Sequence, residues 1–130
     1  MLKATITTAT AVTAGADIPL NLAFNTNCKT GMSNNKININ SCGLYDIGAS
    51  FTVTNVAAGN ITLQMYNNGT AIAGATASAT SAATTDIITL PIMDVVRAVR
   101  NCLGADIALS FQLSTAATVN SATVCVKRVQ

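Results

Sequence analysis

Glutamate, histidine and tryptophan are missing from this chain altogether, and charged residues of either sign make up only 9% of its 130 positions. Each absence excludes a class of chemistry. Without histidine there is no imidazole to act as general base, to activate a thiol or to complete a Cys/His zinc site. Without glutamate, acid–base work falls to five aspartates, the lysines, two tyrosines and the thiols. The aspartates (Asp17, Asp46, Asp86, Asp94 and Asp106) form neither a close pair nor the Asp-x-Asp-x-Asp run of a calcium loop. A glycine-rich phosphate loop and a Gly-x-Ser-x-Gly elbow are also missing. This is the inventory of a non-enzymatic protein that needs no cofactor and no metal.

The scarcity of charge bears on partners too. A formal net charge of +2, with the basic residues scattered, gives no footprint for nucleic acid or an anionic membrane. No run approaches the roughly 18 consecutive apolar residues of a spanning helix. The opening Met1-Leu2-Lys3-Ala4-Thr5-Ile6-Thr7-Thr8 lacks the basic stretch and apolar core of a secretory signal, so the expectation is synthesis in a cytoplasm without a leader. Half of the chain is nonetheless hydrophobic. Such a charge-poor, apolar-rich composition is expected to hide an apolar face between subunits.

What is present is Thr, Ser, Asn and small apolar residues, a strand-and-turn composition. Period-two alternation recurs along the chain. Ile18, Leu20, Leu22 and Phe24 point one way, and Ile37 and Ile39 alternate with asparagines in a short edge-type strand. Tyr45, Ile47, Ala49, Phe51 and Val53 oppose Asp46, Gly48, Ser50 and Thr52. Ile61, Leu63 and Met65 follow, then Ile107, Leu109, Phe111 and Leu113, and finally Ala122, Val124 and Val126. This is the pattern of half-buried strands, and the fold class is all-β. Asn67-Asn68-Gly69 marks a tight hairpin, because Asn and Gly accept positive φ.

Three segments leave alternatives open. Gly74 to Thr85, rich in Ala, Ser and Thr, reads as a strand or a surface loop. Asp94 to Arg100 has an N-cap residue and terminal arginines suited to a short helix, but its three valines favour a long strand with Pro91 at a bulge or edge. Cys28, Cys42, Cys102 and Cys125 form no Cys-x-x-Cys pair; Cys28 with Cys42 and Cys102 with Cys125 are candidate disulfides in an oxidising setting, and otherwise four small apolar fillers. Asn60-Ile61-Thr62 and Asn68-Gly69-Thr70 match the N-glycosylation triplet, which matters only in a secreted protein.

The order of these runs resembles a known family. Gly43-Leu44-Tyr45-Asp46-Ile47-Gly48-Ala49-Ser50-Phe51-Thr52-Val53 is similar to a central strand of the trimeric jelly rolls related to tumour necrosis factor and complement. The hairpin from Asn60 through Asn67-Asn68-Gly69-Thr70-Ala71-Ile72, the strand Asp106 to Leu113 and the closing strand Asn120 to Val129 follow in the same order. The resemblance runs from about Val12 to the end and includes the short Ala/Thr/Asn-rich domains of bacteriophage virion and spore-surface proteins. It implies a jelly-roll β-sandwich of about ten strands, residues 16–130, preceded by an N-terminal arm or first strand at 1–15, and assembly as a homotrimer.

The function this resemblance implies is that of a bacteriophage virion protein, a trimeric capsid decoration or head-fibre protein on the capsid surface, whose partners are itself and a major capsid protein. The alternative is a receptor-binding or adhesion module reading a host glycan or protein through loops at Thr26 to Lys36 and Ser78 to Asp86. Leu2, Ile6, Val12, Tyr45 and Tyr66 are the candidate capsid-anchor or trimer-contact residues.

Overall fold

The computed structural model describes residues 1–26, 30–40, 43–82, 86–98 and 107–129. Cys28, Cys42, Cys102, Asp106 and residues 99 and 100 lie outside them. The described residues form eleven strands and no helix: β1 (Leu2–Ile6), β2 (Thr10–Val12), β3 (Asn21–Asn25), β4 (Thr30–Ser33), β5 (Lys36–Ile39), β6 (Gly43–Asn55), β7 (Gly59–Asn67), β8 (Thr70–Ser81), β9 (Ile87–Ala98), β10 (Ile107–Leu113) and β11 (Ala117–Arg128). One antiparallel sheet has the order β3-β1-β11-β6-β9, with β2 paired beside β1 on β11. The other has the order β4-β5-β10-β7-β8.

The two sheets face each other as a jelly-roll sandwich, and the alternating residues supply the filling. Tyr45, Ile47, Ala49, Phe51 and Val53 of β6 are all buried, as are Ile61, Leu63 and Met65 of β7 and Ile107, Leu109, Phe111 and Leu113 of β10. Across the middle Phe51 meets Phe111, with ring centroids 5.1 Å apart and planes at 45°. A tilted pair of this kind contributes about 0.5–1.5 kcal/mol beyond its buried area.

The turns follow local chemistry. Asn68 and Gly69, at φ 51° and 83°, close the β7–β8 hairpin between the paired residues Asn67 and Thr70, as their sequence demands. A second two-residue turn joins β4 to β5 through Asn34 and Asn35, at φ 52° and 63°. Asparagine tolerates this left-handed region better than other residues with a Cβ.

The structure selects among several open readings and changes one. The N-terminal segment is a built-in part of the sandwich and no free arm: β1 lies between β3 and β11, and β2 pairs with Ala117 to Val119. From β2 the chain crosses to the other sheet, where Gly15 and Ile18 donate their amides to the carbonyls of Leu113 and Phe111 (3.1 and 2.9 Å). That connection continues the edge of β10 beyond Leu109, where β5 stops pairing. The strand at Ile37 and Ile39 is internal, because the β4–β5 turn folds β4 over its outer side. Asp94 to Ala98 belong to β9, so valine's β preference prevails over the N-cap. Pro91 lies on an edge strand, where the hydrogen bond it cannot donate is not missed. Thr70 to Ser81 form the edge strand β8 and no loop.

Candidate functional site

Among the described residues no three or more metal-binding side chains cluster, and the two outer faces of the sandwich differ in character. The outer face of the six-stranded sheet comes first. Its two central strands turn small side chains outward: Gly48, Ser50 and Thr52 from β6, and Ser121, Thr123 and Cys125 from β11. Large apolar side chains stand at the margins. On β9, Ile87, Met93 and Val95 are 70%, 87% and 53% exposed; on the opposite edge, Phe24 of β3, beside the outward Lys3, is 45% exposed.

The registers lay these residues out in rows. Met93, Gly48, Cys125, Lys3 and Phe24 follow one another across β9, β6, β11, β1 and β3. In the next row Val95 neighbours Asp46, which faces Lys127. Where Gly48 lacks a side chain there is open space, and a shallow trough of about 180 Å³ runs between Met1, Met93, Cys125 and Lys127. A flat, small-residue floor between two unlike apolar margins is a surface that a second molecule can approach closely. Exposed apolar side chains grouped in this way mark interaction sites.

The five-stranded sheet presents a different surface. On its outer side Tyr66 lies half-buried in a groove of about 350 Å³ that it shares with Thr62, Gln64, Gln112 and Ser114. Gln64 stands at a break in the β7–β8 ladder, where Gln64 pairs with Thr76 but Tyr66 pairs with Ala71. One residue of β7 thus faces four of β8. Gly74, at φ 83°, supplies a backbone conformation that residues with a Cβ rarely adopt. The Gln64 side-chain amide donates to the carbonyls of Met65, Ile72 and Ala75 at 2.8, 2.8 and 3.1 Å.

The five contact residues singled out in the sequence are not brought together. Leu2, Ile6, Val12 and Tyr45 are at most 5% exposed and belong to the protomer's own core. Their side chains fill the sandwich and are not available to a capsid or a second subunit. These four take the inward positions of an alternation whose outward half carries the surface. Tyr66 alone of the five reaches the surface, on the sheet opposite to the small-residue face. The exposed apolar residues of β9 were missed because Ile87, Met93 and Val95 look like core in a long apolar strand; the signal lay in their shared parity, out of phase with Ile88, Leu90 and Ile92. Leu22 and Phe24 share the parity of the buried Ile18 and Leu20, but β3 is an edge strand with a register shift, so Leu22 pairs with the inward Ala4 and Phe24 with the outward Lys3, and both are left exposed.

Of the four cysteines only Cys125 is described; it is a half-buried free thiol, and the other three lie outside the described residues. Asp46 is exposed on the outer face, as its strand position implies. Of the loops singled out for ligand reading, Thr26 to Lys36 contains β4 and its turn, and Ser78 to Ser81 are the end of β8; residues 27–29 and 83–85 lie outside the described residues.

No protein-family profile and no curated protein matches the sequence. Solved structures do match its shape. Eiger TNF from S. frugiperda superposes with a TM-score of 0.73 at 8% identity, covering 99% of this chain and 92% of that one. Murine APRIL does so with a TM-score of 0.69 at 10% identity, over 97% and 96% of the two chains. The PRD1 vertex protein P5 gives 0.65 at 17% identity, over 99% and 96%. At such identities the likeness concerns the fold. Over nearly its whole length, the chain has the jelly-roll fold shared by tumour-necrosis-factor-like proteins and by the phage PRD1 vertex protein.

Proposed function

We propose that this protein is a non-enzymatic structural component of a bacteriophage virion, a homotrimer seated on the capsid surface as a decoration or head-fibre protein. The observation that carries the reading is the likeness, over 99% of the chain, to the PRD1 vertex protein P5. The residue inventory supports the same conclusion, because an enzyme without His or Glu has few acid–base groups to arrange.

Trimerisation is supported by the jelly rolls of the tumour-necrosis-factor type, which are homotrimers, and by the surface itself. Its two apolar margins differ, Ile87, Met93 and Val95 at one edge and Phe24 at the other. Unlike patches on opposite edges suit a head-to-tail contact, which closes into a ring when the rotation allows; a two-fold dimer instead pairs a patch with itself. A trimer then offers three equivalent contacts to a three-fold site on a capsid lattice, and weak contacts sum by avidity.

The test is retention on particles. Quantitative mass spectrometry of purified virions should find the chain in a fixed ratio to the major capsid protein. Its absence from purified particles, or selective binding of the purified protein to host cells without retention on capsids, overturns the decoration reading.

A further inference from the structure

The groove around Tyr66 is left unused by the trimer reading, whose apolar margins lie on the opposite sheet. Its chemistry is specific. Two glutamine amides are held in place by the protein: Gln64 by its three carbonyl acceptors and Gln112 by Asp17, to which its side-chain nitrogen donates at 3.0 Å. Both side-chain carbonyl oxygens therefore keep their accepting capacity, with no partner among the described residues. The Tyr66 hydroxyl has no partner among them either. Ser114 Oγ accepts the Thr62 amide at 2.9 Å, which leaves its own hydrogen to donate. No lysine or arginine lines the groove, and Asp17, which accepts from Gln112, is not among its lining residues.

These groups define what fits. An anion would meet no cation among the lining residues. A purely apolar ligand would strand the two amides and two hydroxyls without partners, at a cost comparable to lost hydrogen bonds. A ligand with hydroxyls that both donate and accept, and with a flat C–H face to lay against a half-buried phenol ring, satisfies every group. The geometry points to a binding site for a neutral saccharide: a pyranose unit stacked on Tyr66, with its hydroxyls bonded to the fixed amides of Gln64 and Gln112 and to Ser114. Because both amides are already oriented, binding need not order them, and that saves much of the usual entropic loss. The groove volume, about 350 Å³, falls at the lower end of the range for small-ligand sites.

The experiment uses the full chain and five neutral probes, the hexasaccharides of maltose, cellulose, mannan, galactan and chitin type, with sialyllactose as the anionic comparison. Saturation-transfer NMR and titration should show at least one neutral probe binding saturably, and sialyllactose more weakly. Tyr66→Ala should lower that affinity about tenfold through loss of the ring. Tyr66→Phe, which keeps the ring and the fold, and Gln112→Ala should each lower it about fivefold. Circular dichroism confirms that each variant is folded. No binding by any neutral probe to the wild-type chain at millimolar concentration overturns the proposal, as does tighter binding of sialyllactose. So does unchanged affinity in folded Tyr66→Phe and Gln112→Ala. Virion retention is measured without sugar and is unaffected by either outcome.

Discussion

Replacing Gln64 by alanine tests how the fold tolerates the break in its β7–β8 ladder. The break removes the ladder partners of Ile72 and Ala75, and the Gln64 amide donates to both their carbonyls and to that of Met65. One amide nitrogen has two hydrogens, so the three contacts amount to two hydrogen bonds, one of them shared. Each is worth about 1 kcal/mol net, and a carbonyl left unpaired in a buried setting adds to the loss. Ala75 is fully buried, so its carbonyl has little access to water. The expected cost is about 2–3 kcal/mol, a fall in melting temperature of roughly 7–11 °C for a domain of this size. The assay is urea and thermal unfolding followed by far-UV circular dichroism, since the chain has no tryptophan to report by fluorescence. Wild type and variant are compared at equal protomer concentration, because assembly makes the midpoint concentration-dependent. Gln64→Asn, too short to span the acceptors, should resemble the alanine variant. A loss below about 0.5 kcal/mol in both would show that water serves these carbonyls as well as the side chain does, and would refute the reasoning.

Three further outcomes follow from the same structure. Phe111→Ala, which empties the centre of the sandwich beside Phe51, should destabilise by about 3–5 kcal/mol in denaturant titration. Gly69→Ala places a Cβ at φ 83° in the β7–β8 turn and should cost about 1 kcal/mol by the same measurement, with no change in oligomeric mass. Met93→Asp should leave the protomer fold intact by circular dichroism yet dissociate the assembly, because it removes about 1.5–3 kcal/mol of apolar burial per protomer and puts a charge in its place.

Much of the fold is legible in the sequence because burial on one face of a strand writes itself as alternation. Tyr45 to Val53, Ile61 to Met65 and Ile107 to Leu113 all read correctly for that reason. Alternation does not say whether a sheet edge is covered, so Leu22 and Phe24 read as core although β3 leaves them exposed. Nor does composition say whether residues 1–15 stand as an arm or fold into a sheet, so Leu2, Ile6 and Val12 read as contacts although β1 and β2 bury them. The β4–β5 hairpin was hidden because Asn34-Asn35 lacks the glycine that usually announces such a turn. β8 was ambiguous because an edge strand of Ala, Ser and Thr has no contrast between its faces: only two of its twelve residues, Ala75 and Ser81, are buried. The groove joins residues about 50 apart, Thr62 and Gln64 with Gln112 and Ser114. Such a site becomes visible only once β7 and β10 are known to be neighbours.

The central claim is that the small-residue face of the six-stranded sheet is covered by other copies of this chain. Light scattering coupled to size exclusion, at micromolar protomer concentration, measures this directly. The account predicts a mass three times that of the 13.2 kDa protomer, falling to a single protomer for Met93→Asp. A wild-type mass of 13.2 kDa at that concentration would contradict it.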